Sequence, residues 1–404
     1  MRADDVLGTR TAEERPPAPP VPPVATQPQP WDDGSLAELS GVLFASLVRS
    51  DQRRRGDDYI RGLLRARGRR SIRNIAIELG GSATEQSLHH FISSSTWDWV
   101  PVRRALSRHL DSNVGPLAWV VRPMVIPKTG ENSVGVERQY IPEAGQVINA
   151  QRAVGVWAAT EETSSPVNWR LHLSPSWAED WPRRRQASVP DDVVAQSLCD
   201  STIDACLQAA SWGPPGRPVV LDARGADVPA VVQRFRAAGV PFLLRIGAAF
   251  RLSVTDRALV GRGTGPLPAG QIVLMARDRL RPVIWRDHTA ALTRYSLAAS
   301  LRVRLPAGAG PDAARADLTL LGVTEDRRRL PADLWITDLV GAQPSELVRL
   351  SRLTGRVQRN FEETADRLGI RDYTGRSYNG WHRHMTLASA AHAVAMLKAA
   401  GRPA

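Results

Sequence analysis

The sequence has very little lysine. Lys128 and Lys398 are its only lysines, although it carries 53 basic residues against 41 acidic ones and a formal net charge of +12. Nearly all of the positive charge is therefore on guanidinium groups, which can form paired hydrogen bonds with a phosphate. A basic chain of this kind makes nucleic acid the first partner to consider. The alternative is that a GC-rich genome favours arginine codons and that the excess charge serves solubility.

Cysteine and long apolar runs are also scarce. The cysteines Cys199 and Cys206 can build neither a disulfide framework nor a zinc site. We expect them to be buried thiols in a reducing cytoplasm. No apolar run reaches the roughly 18 residues that span a membrane, and the N-terminus lacks the hydrophobic core of a signal peptide. These absences predict a cytoplasmic protein without a membrane partner.

The first third of the chain divides into a tail and a helical segment. Residues 1–32 are rich in proline and predict a disordered tail. Residues 33–114 have apolar residues at helical spacing, as at Leu36, Leu39 and Leu43. The arginines on the polar sides of these helices are Arg53, Arg54, Arg55, Arg67, Arg69 and Arg70. This pattern predicts a helical DNA-binding domain, with solvated helix faces as the open alternative.

The periodicity changes to that of strands at Leu117. Residues 117–121, 133–140 and 147–157 predict a three-stranded antiparallel meander, which 168–174 extends at one edge. A helix at 191–211, a strand at 218–222, a helix at 228–238 and a strand at 241–246 follow. This order predicts the α/β class, with an RNase H-like core of five strands in a mixed sheet across residues 115–250.

The last part of the chain predicts an insertion and a return to the core. Residues 251–340 contain short strand-like runs at 271–275, 301–305 and 318–323, separated by Gly/Pro turns, and predict a β-rich insertion. Residues 341–404 predict C-terminal helices at 345–368 and 381–399 that complete the core.

One strand brings a carboxylate to its carboxyl end. The apolar run from Pro218 ends at Asp222, and Asp227 lies in the loop that follows. The carboxyl ends of strands are where open α/β sheets place their chemistry. We therefore expect Asp222 to be a metal ligand if the protein cuts nucleic acid, with Asp227 as a weaker candidate.

Several motifs together resemble one known family. They are Tyr59-Ile-Arg-Gly-Leu-Leu64, Ser95-Thr-Trp-Asp98, Pro127-Lys-Thr-Gly130 with Arg138-Gln-Tyr140, Asn168-Trp-Arg-Leu-His-Leu173, Val220-Leu-Asp-Ala223 and Gly380-Trp-His-Arg-His384. From about residue 36 to 397 the chain resembles the DDE-type transposases of bacterial insertion sequences. The resemblance implies metal-dependent phosphoryl transfer on double-stranded DNA, in which carboxylates hold divalent ions such as Mg²⁺.

The sequence departs from that family at two of three catalytic positions. Asp222 matches a family Asp, but Arg122 stands where the family has its first Asp and Gln358 where it has its Glu. A guanidinium near the metal position would repel the ion. Glu362, four residues after Gln358 on the same helix face, is a candidate substitute. The departures predict that no metal cofactor is retained, and Mg²⁺ is expected only if the protein is active.

Other residues of these motifs are candidate ligands. Lys128, Arg138 and the run Arg183, Arg184 and Arg185 are expected to contact DNA phosphates. His382 and His384 are two residues apart, so a helix would turn them to different faces. Packing or phosphate contact is therefore favoured over metal binding for these histidines.

The sequence as a whole predicts a transposase-like, nucleoid-associated DNA-binding protein without catalytic activity, co-opted as a regulator. The alternative is an active insertion-sequence transposase that cleaves DNA and transfers strands with substitute carboxylates. A protein-interaction scaffold without DNA affinity is a third class. The oligomeric state stays open, with a homodimer among the alternatives.

Overall fold

A computed structural model of the chain describes residues 33–142, 145–256, 259, 265–288, 291–306, 317–325, 333–399 and 401. The predicted proline-rich tail lies outside these residues. Within them, no helix is both long enough and apolar enough to cross a membrane.

Five helices precede the first strand. They are α1 (Asp33–Leu43), α2 (Ser50–Arg65), α3 (Ile72–Leu79), α4 (Ser82–Ser93) and α5 (Trp99–Val114). The leucines that predicted the first helix, Leu36, Leu39 and Leu43, are all fully buried. The side chain of Ser71 caps α3 and that of Asp98 caps α5, each by accepting a hydrogen bond from a backbone N–H of the first turn.

The antiparallel half of the sheet has four strands. They are β1 (Ala118–Pro127), β2 (Val136–Ile141), β3 (Gln146–Ala159) and β4 (Ser164–Leu171). The predicted meander order is wrong, because β3 lies between β1 and β2. The long β3 pairs along one edge with β1 and along the other with β2 and then β4. The predicted extension at the sheet edge is confirmed in β4.

The parallel half of the core follows after three helices. The elements are α6 (Pro175–Ala178), α7 (Trp181–Gln186), α8 (Leu198–Ala210), β5 (Val219–Asp222), α9 (Val228–Ala237) and β6 (Phe242–Ile246). Strand β5 runs parallel to both β1 and β6. The resulting order β4-β3-β1-β5-β6, with three antiparallel strands and two parallel ones, confirms the predicted mixed α/β core and is consistent with an RNase H-like fold.

The predicted insertion continues the same sheet. Its elements are β7 (Arg251–Val254), β8 (Leu267–Pro268), α10 (Ala269–Met275), β9 (Arg281–Asp287), β10 (Leu292–Arg304), β11 (Leu318–Thr324) and β12 (Asp333–Thr337). Strand β12 pairs antiparallel with β6, so the described strands form one sheet of twelve rather than an isolated five-stranded core.

One predicted strand of this region is a helix. Residues 271–275 lie in α10, where Ala269, Ile272, Val273 and Ala276 are buried. Their spacing of three and four residues is helical, and it is visible only in a window wider than the five apolar residues.

Two helices close the fold. Helix α11 (Pro344–Asn360) starts at a capping box formed by Gln343 and Glu346, and a π-helical turn (Phe361–Ala365) replaces the last part of the predicted helix. Helix α12 (Tyr378–Ala399) is buried along most of its length and packs against β4, α2, α4 and α5. Most buried apolar residues, from Leu36 to Leu397, form one cluster, and Leu280, Leu297 and Ala299 form a second, smaller one. The domain boundaries drawn from the sequence stay a prediction.

Candidate functional site at the strand ends

Asp222 lies at the end of β5, where the chain leaves the core. Val219, Val220 and Leu221 are buried and Asp222 is exposed. Its carboxylate accepts hydrogen bonds from both Nε (2.9 Å) and Nη2 (2.6 Å) of Arg224, in the fork geometry of an arginine–carboxylate pair. The backbone N–H of Arg224 donates to the same carboxylate at 3.2 Å.

A second arginine approaches Asp222 from the neighbouring strand. Nη1 of Arg245, on β6, lies 3.8 Å from the carboxylate, and Nη2 of Arg245 is paired with Asp333 on β12. Partial burial opposes ionisation of Asp222. The hydrogen bonds and charge of Arg224, aided by Arg245, outweigh this and hold the pKa of Asp222 below its ordinary value. The carboxylate is therefore neutralised by protein cations.

Arg122 and Gln358, which the resemblance predicted to replace two family carboxylates, contact each other. Arg122 projects from β1, and its Nε donates to Oε1 of Gln358 on α11 at 3.0 Å. The guanidinium carbon of Arg122 lies 3.4 Å from the ring centroid of Phe361, which begins the π-helical turn. Hydrogen bond and cation–π contact together fix Arg122 between the sheet and the helix.

The environment of Arg122 leaves it charged. Burial, followed by the charge of Arg371, lowers the pKa of Arg122 to about 10, while Glu362 and Asp366 act in the opposite direction. The amide of Gln358 donates in turn to Glu362. Glu362, the candidate substitute ligand, is thus hydrogen-bonded to the residue that it would replace.

Arg122, Asp222 and Gln358 lie on one side of the sheet. In the parallel pairing of β1 with β5, Val120 is opposite Val220, so Arg122 and Asp222 lie two residues further on at the same level. Residues two apart along a strand face the same side, and α11 packs against both strands. The assignment of Arg122, Asp222 and Gln358 as family catalytic positions stays a prediction.

The residues present do not fit a divalent metal ion. Mg²⁺ requires oxygen ligands in a near-octahedral arrangement, whereas Asp222 is occupied by Arg224 and Arg122 brings a positive charge. Asp227 caps α9 by accepting a hydrogen bond from Ala230 N–H at 3.2 Å. Within the described residues, no three His, Cys, Asp or Glu side chains are grouped to hold a metal ion.

The arginines predicted to bind DNA in the helical segment differ in their surroundings. Arg53 donates to the carbonyls of Leu47 and Val48, and Arg70 to those of Leu63 and Gly68. Arg55 is paired with Asp58, and Arg69 lies 3.8 Å from Asp372. Arg54 and Arg67 are exposed. Four of these six arginines therefore make contacts within the protein.

The second predicted phosphate-binding set is similarly divided. Arg184 is buried and donates to three backbone carbonyls, so it holds its loop and does not face solvent. Lys128 donates to the carbonyl of Tyr373 at 2.6 Å, and burial lowers its pKa to about 8. Arg183 lies over the Trp177 ring. Arg138 and Arg185 are exposed.

The paired histidines of α12 serve packing. His382 stacks on Trp99 with ring centroids 4.8 Å apart, and its Nδ1 lies 3.2 Å from Arg103 Nη2. His384 is hydrogen-bonded to the Tyr59 hydroxyl and to the Gly369 carbonyl. Burial lowers the pKa of His384 to about 4. Both rings are buried, as the interpretation of packing predicted.

Sequence reasoning missed the partners of Asp222. Arg224 follows it by two residues, a spacing that allows a local arginine–carboxylate pair and was a visible signal. Arg245 gave no such signal, because its position depends on the pairing of β5 with β6.

The comparison with known proteins agrees with this architecture. A model of the DDE superfamily endonucleases matches residues 42–296, more than half of the chain, from the helical segment through β1 and Asp222 to β10. No curated protein matches the chain. The chain therefore belongs to the DDE superfamily endonuclease family.

Proposed function

We propose that this protein binds double-stranded DNA as a transposase-like protein and does not cleave it. The observation that carries the proposal is the arrangement at the strand ends. Arg122 is hydrogen-bonded to Gln358, and Arg224 forms a two-bond pair with Asp222. Each of the three family positions is thus engaged in a contact within the protein.

The chemistry of this arrangement argues against metal-dependent cleavage. Two carboxylates that would attract a cation are replaced by a guanidinium and a neutral amide, and the third is paired with arginine. A metal would have to displace Arg224 and remain close to the charged Arg122, at a cost of several kcal/mol for like charges in a partly buried site. The side chains present can instead hold the strand ends together and present positive charge.

Two features support DNA as the partner. The family acts on DNA, and the chain has an excess of arginine with a net charge of +12. Binding that depends on phosphate contacts releases counterions and therefore weakens steeply as salt rises.

The test is fluorescence anisotropy of a labelled DNA duplex with the full chain, in EDTA, over a series of salt concentrations. We expect binding without added metal and a linear fall of log affinity with log salt. Failure to bind duplex at low salt would contradict the proposal and favour a protein-interaction scaffold.

One observation favours the alternative of an active transposase. Glu362 lies within hydrogen-bond distance of Gln358, so a carboxylate is available beside the family Glu position. Both Glu362 and Gln358 are exposed, and Arg122 is bonded to the amide oxygen of Gln358. Metal-dependent cleavage that is lost on Glu362→Gln would establish this alternative.

We also propose that the protein acts as a co-opted regulator. The DNA around the gene distinguishes this role from that of a mobile element. A mobile element should have short inverted repeats at its two ends, and the gene of a regulator should not. The predicted homodimer is tested by measuring the mass of the full chain in solution.

A further inference from the structure

Helix α11 carries a row of arginines that no family motif includes. Arg349, Arg352, Arg356 and Arg359 recur at spacings of three and four residues and so follow one side of the helix. They lie in a cleft between α11, strand β9 and the turn that joins β3 to β4. The lining residues are Glu161, Trp285, Arg286, Asp287, His288, Arg349, Arg352, Leu353, Arg356 and Arg359. The lining of the cleft thus contains five arginines and two carboxylates.

The carboxylates of the cleft are engaged by arginines at its rim. Glu161 accepts two hydrogen bonds from Arg349, at 2.9 and 2.8 Å, and Asp287 accepts one from Arg294 at 2.9 Å. Of the deeper arginines, Arg352 lies 3.6 Å from the carboxylate of Glu325. The positive charge of Arg356 and Arg359 remains available to an anion.

Contacts within the protein hold the deeper arginines in place but leave some of their N–H donors without an acceptor. Arg352 lies over the Trp285 ring at 4.8 Å and donates to the Ser296 hydroxyl, and Arg356 donates to the Glu161 carbonyl at 3.0 Å. Within the described part of the chain, the buried Nε donors of Arg352 and Arg359 have no hydrogen-bond partner. A buried donor without an acceptor is unfavourable, so an anion that accepts from it would stabilise this arrangement.

Like charges are also close together in the cleft. Burial lowers the pKa of Arg356, and the neighbouring charge of Arg359 lowers it further, while the carboxylates of Asp287, Glu363 and Glu162 act in the opposite direction. An anion between these guanidinium groups would relieve the repulsion. Arginines held in place by an aromatic ring and by backbone carbonyls lose little entropy on binding such an anion.

We propose that this cleft binds phosphate groups of the DNA backbone and is a principal DNA contact of the protein. The inference rests on the proposed function and specifies the surface that performs it. It places the contact on α11 and β9. The sequence instead placed DNA contacts on the helical segment, where Arg53 and Arg70 are bonded to local carbonyls, and on Lys128, Arg138, Arg183, Arg184 and Arg185.

The experiment compares duplex binding by the full chain and by Arg349→Gln/Arg359→Gln. The control, Arg304→Gln/Arg108→Gln, removes the same charge and also one exposed ion pair, since Arg304 is bonded to Asp317 as Arg349 is to Glu161. We expect the cleft variant to bind at least about tenfold more weakly, because the phosphate contact of Arg359 is lost and the carboxylate of Glu161 is left unpaired in the cleft, and its salt slope to fall by about 1. The control should remain within about twofold of the unsubstituted chain.

A second variant tests the same site in the opposite direction. Glu161→Gln removes the carboxylate that occupies Arg349 and should tighten duplex binding several-fold, which a misfolded variant could not do. The inference is overturned if the cleft variant binds like its control or if Glu161→Gln does not tighten binding. In either case, duplex binding by the unsubstituted chain would leave the proposed function standing.

Inorganic phosphate separates the DNA backbone from free phosphate as the source of the anion. At constant ionic strength, about 20 mM phosphate should not displace the duplex selectively from the unsubstituted chain, because counterion release favours the polyanion. Displacement from that chain but not from the cleft variant would assign the cleft to free phosphate and overturn the assignment to DNA.

Discussion

The role of Asp222 depends on its neighbours more than on its position. A carboxylate at a strand end becomes a metal ligand when other anions converge on it. Here Arg224 and Arg245 approach it instead, and Arg122 occupies the corresponding level of β1. The sequence predicted all three positions from a family resemblance. It did not reveal that each is satisfied by a protein partner, because those contacts depend on side-chain geometry.

Replacing Arg224 should change the titration of Asp222. In Arg224→Ala the carboxyl pKa should rise towards its ordinary value of about 3.9. Because the folded-state pKa of Asp222 is lowered, the pair stabilises the fold at pH values above the ordinary pKa. That contribution is lost as pH falls through the folded-state pKa. Both side chains are more than one-third exposed, so solvent screening limits the effect to about 1 kcal/mol or less at pH 7.

Denaturant unfolding between pH 7 and pH 3 measures this difference. Arg224→Lys is the control, since it keeps the charge but loses the two-bond geometry, and its stability should be intermediate. A destabilisation by Arg224→Ala that is unchanged at pH 3 would contradict the assigned ion pair.

Helices α5 and α12 show how one buried side chain joins separate elements. Arg103, on α5, is buried and donates to Thr386 and to the His382 carbonyl on α12. It also donates to the Asn168 side chain and the Trp169 carbonyl on β4. Burial lowers the pKa of Arg103 to about 9. The helical segment is thus attached to the sheet by polar contacts as well as by apolar packing.

Loss of this connection should destabilise the protein. Arg103→Ala leaves buried acceptors on β4 and α12 without a donor, and we expect a loss of at least about 2 kcal/mol. Arg108→Ala, at an exposed position of the same helix, should change stability by no more than about 0.5 kcal/mol. Urea unfolding of both variants checks the prediction, and equal effects would contradict the role of Arg103.

The helices were easier to predict than the details of their ends. The apolar spacing of α11 continues beyond Asn360, so periodicity predicted one helix to Leu368. At Phe361 the hydrogen bonding changes, and Asp366 N–H donates to the Phe361 carbonyl five residues earlier. The Phe361 ring contacts Arg122 and Trp157. A local tertiary packing requirement of this kind has no signal in helical periodicity.

The whole molecule is organised by strand pairings that are distant in sequence. The order of the core elements predicted the α/β class and its parallel strands. It did not predict that β3 separates β1 from β2, or that β12 extends the sheet from β6. Those pairings depend on contacts between residues that are far apart in the chain. The same holds for the cleft on α11, whose arginines become a site only beside β9.

The central claim is that the DDE architecture is retained in a protein that binds DNA without cutting it. The most direct measurement is cleavage of supercoiled plasmid by the full chain in Mg²⁺ or Mn²⁺, under conditions in which duplex binding has been verified. We expect no nicked or linear product above the level without protein, and the same result for Asp222→Ala. Metal-dependent nicking that Asp222→Ala abolishes would contradict the account.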